Sequence, residues 1–332
     1  MIYLAKGVRA TTAIEGNTLS EDQVLASIEN RLELSSSKKY LKQEVDNIVE
    51  ACNEIAEQVA AGRPRPISCQ DLCHYNNRVL AGGIPHDDAA VPGQIRQHNV
   101  VVGNVYRAPD VRNVAILTNR FCDWMNSSDF DRDEMAMHFA ILKAVTAHLY
   151  IAWIHPFGDG NGRVARLLEF AILLRSGIPS PAAHLLSNHY HLTRNEYYGQ
   201  LNRASKTEDP TAFFAYAISG FLDGLKEQLA FIQQHVIAVC WRDYIYEVFA
   251  TRRFSATTKR RRELALRIAE QGEPMDRDTI HILMRKEYKN RTEKTLTRDL
   301  NELERRKLVV REKGRYAANR DLILEFLPFS SS

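Results

Sequence analysis

The sequence predicts a mainly α-helical protein with more than one domain. Apolar residues recur at helical spacing over most of the first 250 residues, β patterns are few and short, and the charge balance changes near residue 252. A chain of 332 residues is long enough for two or three domains. Its hydrophobic content of 45% is ordinary for a globular protein.

The segment HPFGDGNGRVAR, at residues 155–166, separates two strong helical patterns. The apolar stripe before it stops at Ile154, ahead of Pro156, and the stripe after it runs to Gly177, a residue suited to end a helix. Glycine-rich backbone at the start of a helix can direct several N–H groups at one anion. The segment is therefore a candidate phosphate site on a helix–loop–helix joint.

Four side chains flank this loop. His155 can accept a proton near neutral pH, which suits a general base. Asp159 offers a hard oxygen ligand for Mg²⁺. Arg163 and Arg166 lie three residues apart, so both guanidinium groups fall near the first turn of the following helix. A tight turn alone would explain the glycines but not these residues at fixed offsets.

HPFGDGNGRVAR is similar to the signature of Fic-domain proteins, which is His-Pro-Phe, any residue, Asp or Glu, Gly-Asn-Gly-Arg, two residues and Arg. This sequence satisfies every position. The resemblance implies a protein adenylyltransferase that moves AMP from ATP onto a Ser, Thr or Tyr hydroxyl of a target protein or of itself, with Mg²⁺. In relatives that transfer a whole phosphate, Lys replaces the second glycine of GNG, so Gly162 favours AMP transfer.

The resemblance also implies a role for each residue of the site. His155 would be the catalytic base and Asp159 the metal ligand. The nucleotide would be bound by Gly160, Asn161, Gly162, Arg163 and Arg166 at the phosphates, by Val102, Gly103, Asn104 and Val105 on a flap, and by Tyr197, Tyr198 and Ser205 near the base.

Residues 11–17 read TTAIEGN. Taken alone, they are a short helix ended by Gly16, with the next helix starting at Ser20. They are also similar to the inhibitory helix of Fic proteins, which carries Ser or Thr, three residues, Glu, and then Gly or Asn. The resemblance implies that Glu15 pairs with Arg166 and inhibits AMP transfer. It leaves open that Glu15 orients a water molecule for the removal of AMP.

Further elements are expected around the motif. Residues 21–61 are predicted to be helical, and a Ser68 cap predicts a helix as far as Leu80. The valine-rich residues 99–106, broken by Gly-Asn, predict a small β-hairpin. The Fic resemblance implies that such a flap docks the target chain by β-augmentation, and an ordinary surface hairpin is the alternative.

After the motif, Thr193 and Glu196 predict a capping box at the start of another helix. Residues 213–249 read as one or two long helices that close this part of the chain.

The C-terminal region shows a different pattern. Three helical segments, at 259–269, 276–287 and 292–306, precede a short β pattern around Gly314, which resembles a winged helix-turn-helix. Residues 251–332 carry 21 Lys and Arg against 13 Asp and Glu. This basic balance favours DNA as a partner, and a protein-interaction module is the alternative. The DNA-contacting residues would be Lys294, Arg298, Lys313 and Arg315.

We therefore expect a Fic-type helical domain with a β-hairpin flap and a winged-helix domain. The predicted boundaries are an N-terminal helical region at 1–90 with the inhibitory helix at about 10–17, a Fic core at 91–225, a linking helix at 226–252 and a winged helix at 253–332. A nucleotide-sensing DNA-binding regulator is the rival function, phosphotransfer is a weaker one, and a homodimer is a further candidate assembly.

The cysteines and the hydropathy of the sequence indicate the cellular compartment of the protein. The five cysteines are scattered, and the Cys69–Cys73 pair with His74 lacks the second pair that a zinc site requires. No apolar run matches a membrane span, and the N-terminus lacks the apolar core of a secretory signal. These features predict a cytoplasmic protein with free thiols and no membrane partner.

Overall fold

The computed structural model of the chain describes residues 2–62, 65–83, 85, 87–103, 106–250 and 255–324. Contacts divide the chain into two compact units, Met1–Lys226 and Glu227–Ser332. Over the described ranges the structure consists of helices and two small β-hairpins, so the predicted mainly α class is confirmed.

The first unit contains most of the helices. They are α1 (Ile2–Ile14), α2 (Glu21–Ile28), α3 (Lys39–Ala60), α4 (Cys69–Leu80), α5 (Val111–Met125), α6 (Ala136–Ile154), α7 (Asn161–Arg175), α8 (Ser180–Ala183), α9 (Leu185–Leu192) and α10 (Arg194–Thr207), with strands β1 (Val101–Val102) and β2 (Tyr106–Arg107). Helix α11 (Thr211–Val248) runs through the division between the units. The second unit adds α12 (Ala256–Gln271), α13 (Arg277–Leu283), α14 (Arg285–Tyr288), α15 (Glu293–Arg305), β3 (Val309–Glu312), β4 (Arg315–Ala318) and α16 (Asp321–Leu324).

Helices α6 and α7 form the centre of the first unit and pack against each other along their length. Helix α6 is apolar on nearly every side, and among the described helices it alone is long and apolar enough to cross a membrane. Here half of that stretch is buried within the protein. Helix α7 is buried over almost its whole length, including Arg163, Arg166 and Glu169. The joint between these helices therefore lies on a rigid base.

The ends of several helices follow the predicted capping chemistry. Ser20 and Gln23 form a capping box at α2, and Ser68 and Asp71 form another at α4. Gly177, with φ of +86°, follows the end of α7 as expected.

Two local predictions were wrong. Residues 21–61 are not continuously helical, because α2 ends at Ile28 and Asn30 takes a left-handed φ of +55° that a helix cannot contain. Thr193 does not form a capping box with Glu196. Its hydroxyl donates to the carbonyl of His189 at the end of α9, and so it is not available to cap α10.

The second unit has its own core, in which α12 to α15 surround Leu300 and neighbouring apolar residues. Buried Asp299 on α15 accepts hydrogen bonds from Arg260 and Arg261 at 2.7 Å and from Tyr288 at 2.9 Å, which joins three helices. The segment predicted as one helix over 276–287 breaks at Met284, where ψ is +18°.

Strands β3 and β4 pair antiparallel, with Glu312 opposite Arg315. Lys313 and Gly314 between them both have positive φ, as a two-residue hairpin turn of the primed type requires. Helices followed by this hairpin match the pattern from which we predicted a winged helix, and that assignment stays a prediction. The predicted boundary near Arg252 falls outside the described residues.

Candidate functional site

The signature segment forms a short connection in which two residues have left-handed backbone conformations. His155, at the end of α6, has φ of +49°, and Gly160, just before α7, has φ of +78°. The Asn161 side chain closes the loop, because its Nδ2 donates to the Phe157 carbonyl at 2.8 Å and its Oδ1 accepts from the Phe157 N–H at 2.9 Å. The side chain of Asn161 therefore shapes the loop, and its backbone N–H lies at the helix start.

The start of α7 has the features of an anion site. The first N–H groups of a helix have no acceptor within it and carry the positive end of the helix dipole. Gly162 stands on this first turn, and a Cβ there would lie 2.5 Å from Glu15 Oε1 and 3.1 Å from Arg166 Nη1. The space beside Gly162 is thus taken by the Glu15 and Arg166 side chains.

Both predicted phosphate-binding arginines are buried at this end of α7. Arg163 Nη2 donates to Asp159 Oδ1 at 3.3 Å, and its Nη1 approaches the Val79 carbonyl at 3.5 Å. Arg166 is 1% exposed and donates to the Thr11 carbonyl at 3.2 Å. The Nε atom of each arginine has no hydrogen-bond partner among the described residues, so both guanidinium groups retain donor capacity.

Glu15 reaches this site from the end of α1 and forms an ion pair with Arg166. Burial raises the pKa of Glu15, but the charge and hydrogen bond of Arg166 outweigh burial and hold that pKa below its ordinary value. Asn17 fixes the end of α1, since its Nδ2 donates to the Leu41 carbonyl at 2.9 Å. Glu15 is therefore ionised at neutral pH and held against the buried guanidinium.

His155 is suited to accept a proton. Its Nδ1 lies 3.4 Å from the Ala152 carbonyl, which can only accept, so Nδ1 carries the proton and Nε2 keeps its lone pair. Burial lowers the pKa of His155 to about 4, and hence the imidazole is neutral at pH 7.

Asp159 lies on the same loop and has a side chain that is 15% exposed. Over the described residues the structure brings no three His, Cys, Asp or Glu side chains together as a metal cluster. Mg²⁺ is commonly held by one or two carboxylates together with phosphate oxygens of a substrate. A single carboxylate beside the anion site fits that mode of binding.

The predicted base-contacting residues lie on α10. Tyr197 is 2% exposed and Tyr198 is 45% exposed. Burial and the Glu15 charge raise the pKa of Tyr198 and Arg166 lowers it, so this phenol is within electrostatic reach of the Glu15–Arg166 pair. Ser205 lies two to three turns further along α10, where its hydroxyl donates to the Asn202 carbonyl at 2.9 Å.

Part of the predicted flap is described. Val102 pairs with Tyr106 across the hairpin, and Gly103 has φ of +57° at its tip. The Tyr106 hydroxyl donates to the Trp153 carbonyl at 2.8 Å, which attaches the hairpin to the end of α6. Asn104 and Val105, also predicted to approach the nucleotide, lie outside the described residues.

Two residues that support the loop were not predicted from the sequence. Buried Arg96 donates to the carbonyls of His155 at 2.8 Å and of Pro109 at 2.6 Å, which links the catalytic loop to the base of the flap. Buried Asn76 on α4 donates to the Asp159 carbonyl at 2.8 Å. Neither residue belongs to a periodic pattern or a motif, and a single sequence gives no signal for such long-range contacts to carbonyls.

Part of this chain matches a known protein family. Residues 66–173 match the sequence profile of the Fic/DOC family, so the chain contains a Fic domain, and the resemblance drawn from the motif is confirmed at that level.

Its relatives carry the same family name. The chain is 33% identical over 195 residues to protein adenylyltransferase fic-1 of Caenorhabditis briggsae, a match that covers 59% of this chain and 35% of the relative. It is 29% identical over 196 residues to protein adenylyltransferase Fic of Aedes aegypti, a match that covers 59% of this chain and 36% of that relative. The chain thus spans about a third of the length of these curated relatives.

Solved structures have a similar fold. A Fic family protein from Desulfovibrio desulfuricans G20 is 21% identical in sequence to this chain. Its superposition has a TM-score of 0.58 and covers 96% of this chain and 86% of that one. Fic-1 from C. elegans is 27% identical, with a TM-score of 0.54, covering 68% and 62%. At 21% identity, the similarity to the Desulfovibrio desulfuricans protein supports only a shared fold.

Proposed function

We propose that this protein is a protein adenylyltransferase that is inhibited by its own Glu15. The observation that carries the proposal is the joint between α6 and α7, where His155, the start of α7 and Arg166 surround one loop of Fic sequence. The names of the relatives support AMP transfer as the chemistry of such a domain. The acceptor is a Ser, Thr or Tyr hydroxyl.

In the proposed reaction each group of the site has one role. His155 Nε2 takes the proton of the acceptor hydroxyl as its oxygen attacks the α-phosphorus of ATP. The new bond is the phosphodiester to AMP, the broken bond is that between the α-phosphorus and its bridging oxygen, and pyrophosphate leaves. Backbone N–H groups at the start of α7, with Arg163 and Arg166, stabilise the charge that develops on the phosphate oxygens.

Asp159 would hold Mg²⁺ jointly with the phosphates. When bound, the ion supplies positive charge to the phosphate oxygens. Asp159 also accepts from Arg163, so the same carboxylate orients a cation of the protein toward the anion site.

We infer that Glu15 inhibits this reaction in two ways. It engages Arg166, which would otherwise bind the outer phosphate, and its carboxylate lies beside Gly162, where it repels a second anion. Glu15 could also orient a water molecule that removes AMP from a modified protein, which makes the reverse reaction part of the same proposal.

Gly162 argues against phosphotransfer. Relatives that transfer a phosphate carry Lys at this position, and a side chain there would displace the end of the Glu15 side chain from its place beside Arg166. For the target protein, we propose docking as an added strand on the hairpin near residues 99–106.

The decisive experiment is mass spectrometry of the Glu15→Gly protein after incubation with ATP and Mg²⁺. We expect the mass of AMP to be added to the protein itself, at a level well above that of the wild type. Glu33→Gly, at an exposed position between α2 and α3, is the matched control and should behave as the wild type does. His155→Ala in the Glu15→Gly background should abolish the modification while ATP still binds.

A mass increase equal to one phosphate would instead identify phosphotransfer. No mass increase in Glu15→Gly, with ATP bound, would refute the adenylyltransferase proposal.

A second candidate function rests on the exposed face of α15. Lys294, Arg298 and Asn301 are exposed at helical spacing on the side opposite the buried leucines. Lysine, arginine and asparagine side chains are those that most often contact phosphates and purine edges in DNA. We propose that this unit binds duplex DNA, which would make the Fic domain a nucleotide-responsive part of a regulator.

A further inference from the structure

Four buried polar side chains lie in a row behind the phosphate site, and we name them the buried polar chain: Tyr190 on α9, Glu169 on α7, His148 on α6 and Tyr197 on α10. The Tyr190 hydroxyl donates to Glu169 Oε1 at 2.9 Å. Glu169 Oε2 lies 3.0 Å from His148 Nδ1, which is within ion-pair distance, but the angle is not that of a hydrogen bond. His148 Nε2 lies 2.8 Å from the Tyr197 hydroxyl.

All four side chains are nearly inaccessible, with exposed fractions of 2% or less. The hydrogen bond between His148 Nε2 and the Tyr197 hydroxyl joins α6 to α10. Burying polar groups is costly unless they have partners. The Tyr190–Glu169 and His148–Tyr197 hydrogen bonds, with the ion-pair contact between them, therefore favour one arrangement of the helices that carry them. None of the four is among the residues that we assign to the phosphates or to proton transfer.

The buried polar chain connects the two sides of the nucleotide site. Glu169 follows Arg166 by one helical turn on α7, and Tyr197 directly precedes Tyr198 on α10. Tyr197 and Ala204 are the buried residues of α10, whereas most of that helix is exposed or half-exposed. The position of α10 therefore depends strongly on where the Tyr197 ring and hydroxyl are held.

We propose that the buried polar chain is a positioning device that holds α10, and with it Tyr198, at a fixed distance from the phosphate-binding start of α7. The base and the triphosphate of one ATP are then bound together. Tyr197 is a positioning residue that acts through His148, and Tyr198 presents its ring to the base. This inference rests on the proposed function in taking ATP as the ligand.

The test compares two ligands on the Glu15→Gly protein by isothermal titration calorimetry. Tyr197→Phe removes one hydroxyl and leaves His148 Nε2 without its partner. We expect ATP affinity to fall about tenfold, since loosening α10 releases the base. Inorganic tripolyphosphate, which has no base, should bind within about twofold of its affinity for the Glu15→Gly protein.

Tyr288→Phe is the matched control, because it removes a buried hydroxyl that donates to Asp299 in the second unit and leaves the buried polar chain intact. Both variants should lower the melting temperature, but only Tyr197→Phe should weaken ATP binding. His148→Gln, whose amide can still bond Tyr197, should bind ATP more tightly than His148→Leu does.

Equal weakening of ATP and tripolyphosphate would overturn the inference, because it would locate the defect at α7. Unchanged ATP affinity in Tyr197→Phe would overturn it as well. These measurements need no turnover, so the expected binding pattern in a protein that transfers no AMP would support the inference and count against the proposed function alone.

Discussion

Hydrogen bonds to backbone carbonyls stabilise the left-handed conformation of His155. A left-handed φ costs a non-glycine residue about 1 kcal/mol or more, so surrounding contacts must compensate. Arg96 supplies them: its Nε donates to the His155 carbonyl, and its backbone N–H donates to the Pro156 carbonyl at 2.9 Å. Because the imidazole makes one weak bond of its own, the backbone of His155 determines where the base is aimed.

The lowered pKa of His155 predicts how the activity depends on pH. A base works in its neutral form, so activity is lost on acidification only when the ring protonates. With a pKa of about 4 in place of 6.5, the acidic limb of kcat/KM should lie well below pH 6.5. Assays use the Glu15→Gly protein, in which loss of the Glu15 charge moves this pKa further down.

Circular dichroism over the same pH range is the control, because acid unfolding would also abolish activity. An acidic limb centred at or above pH 6.5 in a folded protein would contradict the burial of the imidazole described here.

At the scale of the elements, α1 is the part of the first unit whose placement controls Glu15. Helix α1 packs on α9, and Gly7 on α1 faces the His184 ring so closely that an added Cβ would overlap the imidazole. His184 is buried and stacked on Phe170 at 4.4 Å, so it cannot move aside without cost. The small residue at position 7 is what allows α1 to carry Glu15 to Arg166.

We predict that Gly7→Ala increases AMP transfer in a chain that keeps Glu15. Overpacking of this kind costs about 1–3 kcal/mol, which would shift α1 and weaken the Glu15–Arg166 pair by up to about a hundredfold. Gly199→Ala makes the same change on α10, where nothing lies within 4 Å of the added atom, and should leave activity unchanged. A lower melting temperature of Gly7→Ala without any gain in AMP transfer would contradict the prediction.

Features that depend on near neighbours in the chain could be predicted from the sequence, whereas contacts with distant residues could not. The signature loop, the Ser68 cap and the left-handed Gly177 depend on neighbours in the chain, and all three were predicted correctly. Thr193 failed because a preceding carbonyl competes for the same hydroxyl. The sequence could not indicate Arg96, because its partners His155 and Pro156 lie about 60 positions away in the chain.

The Glu15–Arg166 contact was predicted, but from the family resemblance and not from the pattern of residues. The two residues are 151 positions apart, and composition or periodicity contains no information about their pairing. The Fic resemblance supplied it, and the structure has this ion pair. The buried polar chain had no such guide, since His148, Glu169 and Tyr190 read only as members of helices whose apolar residues determine the pattern.

At the scale of the whole molecule, the charge is unevenly distributed, and this has a consequence for binding. The net charge is +3, although residues 251–332 alone carry an excess of eight basic residues. On the second unit, exposed Arg298 and Lys294 on α15 and exposed Lys313 and Arg315 at the hairpin are available for phosphates. A protein that binds DNA through such contacts displaces counterions, so its affinity falls as salt rises.

We therefore predict that the full chain binds a duplex DNA probe in fluorescence anisotropy, with an affinity that falls steeply between about 50 and about 200 mM salt. Lys294→Ala combined with Arg298→Ala should reduce the slope of log K against log salt by about two, one for each phosphate contact removed. Arg267→Ala is the control, because that residue pairs with Glu263 and Glu270 on α12 and should leave the slope unchanged. If the double variant kept the full slope, the exposed face of α15 would not contact phosphate. If the wild type failed to bind at low salt, where phosphate contacts are strongest, the DNA-binding prediction would be wrong and the protein-interaction alternative would be preferred.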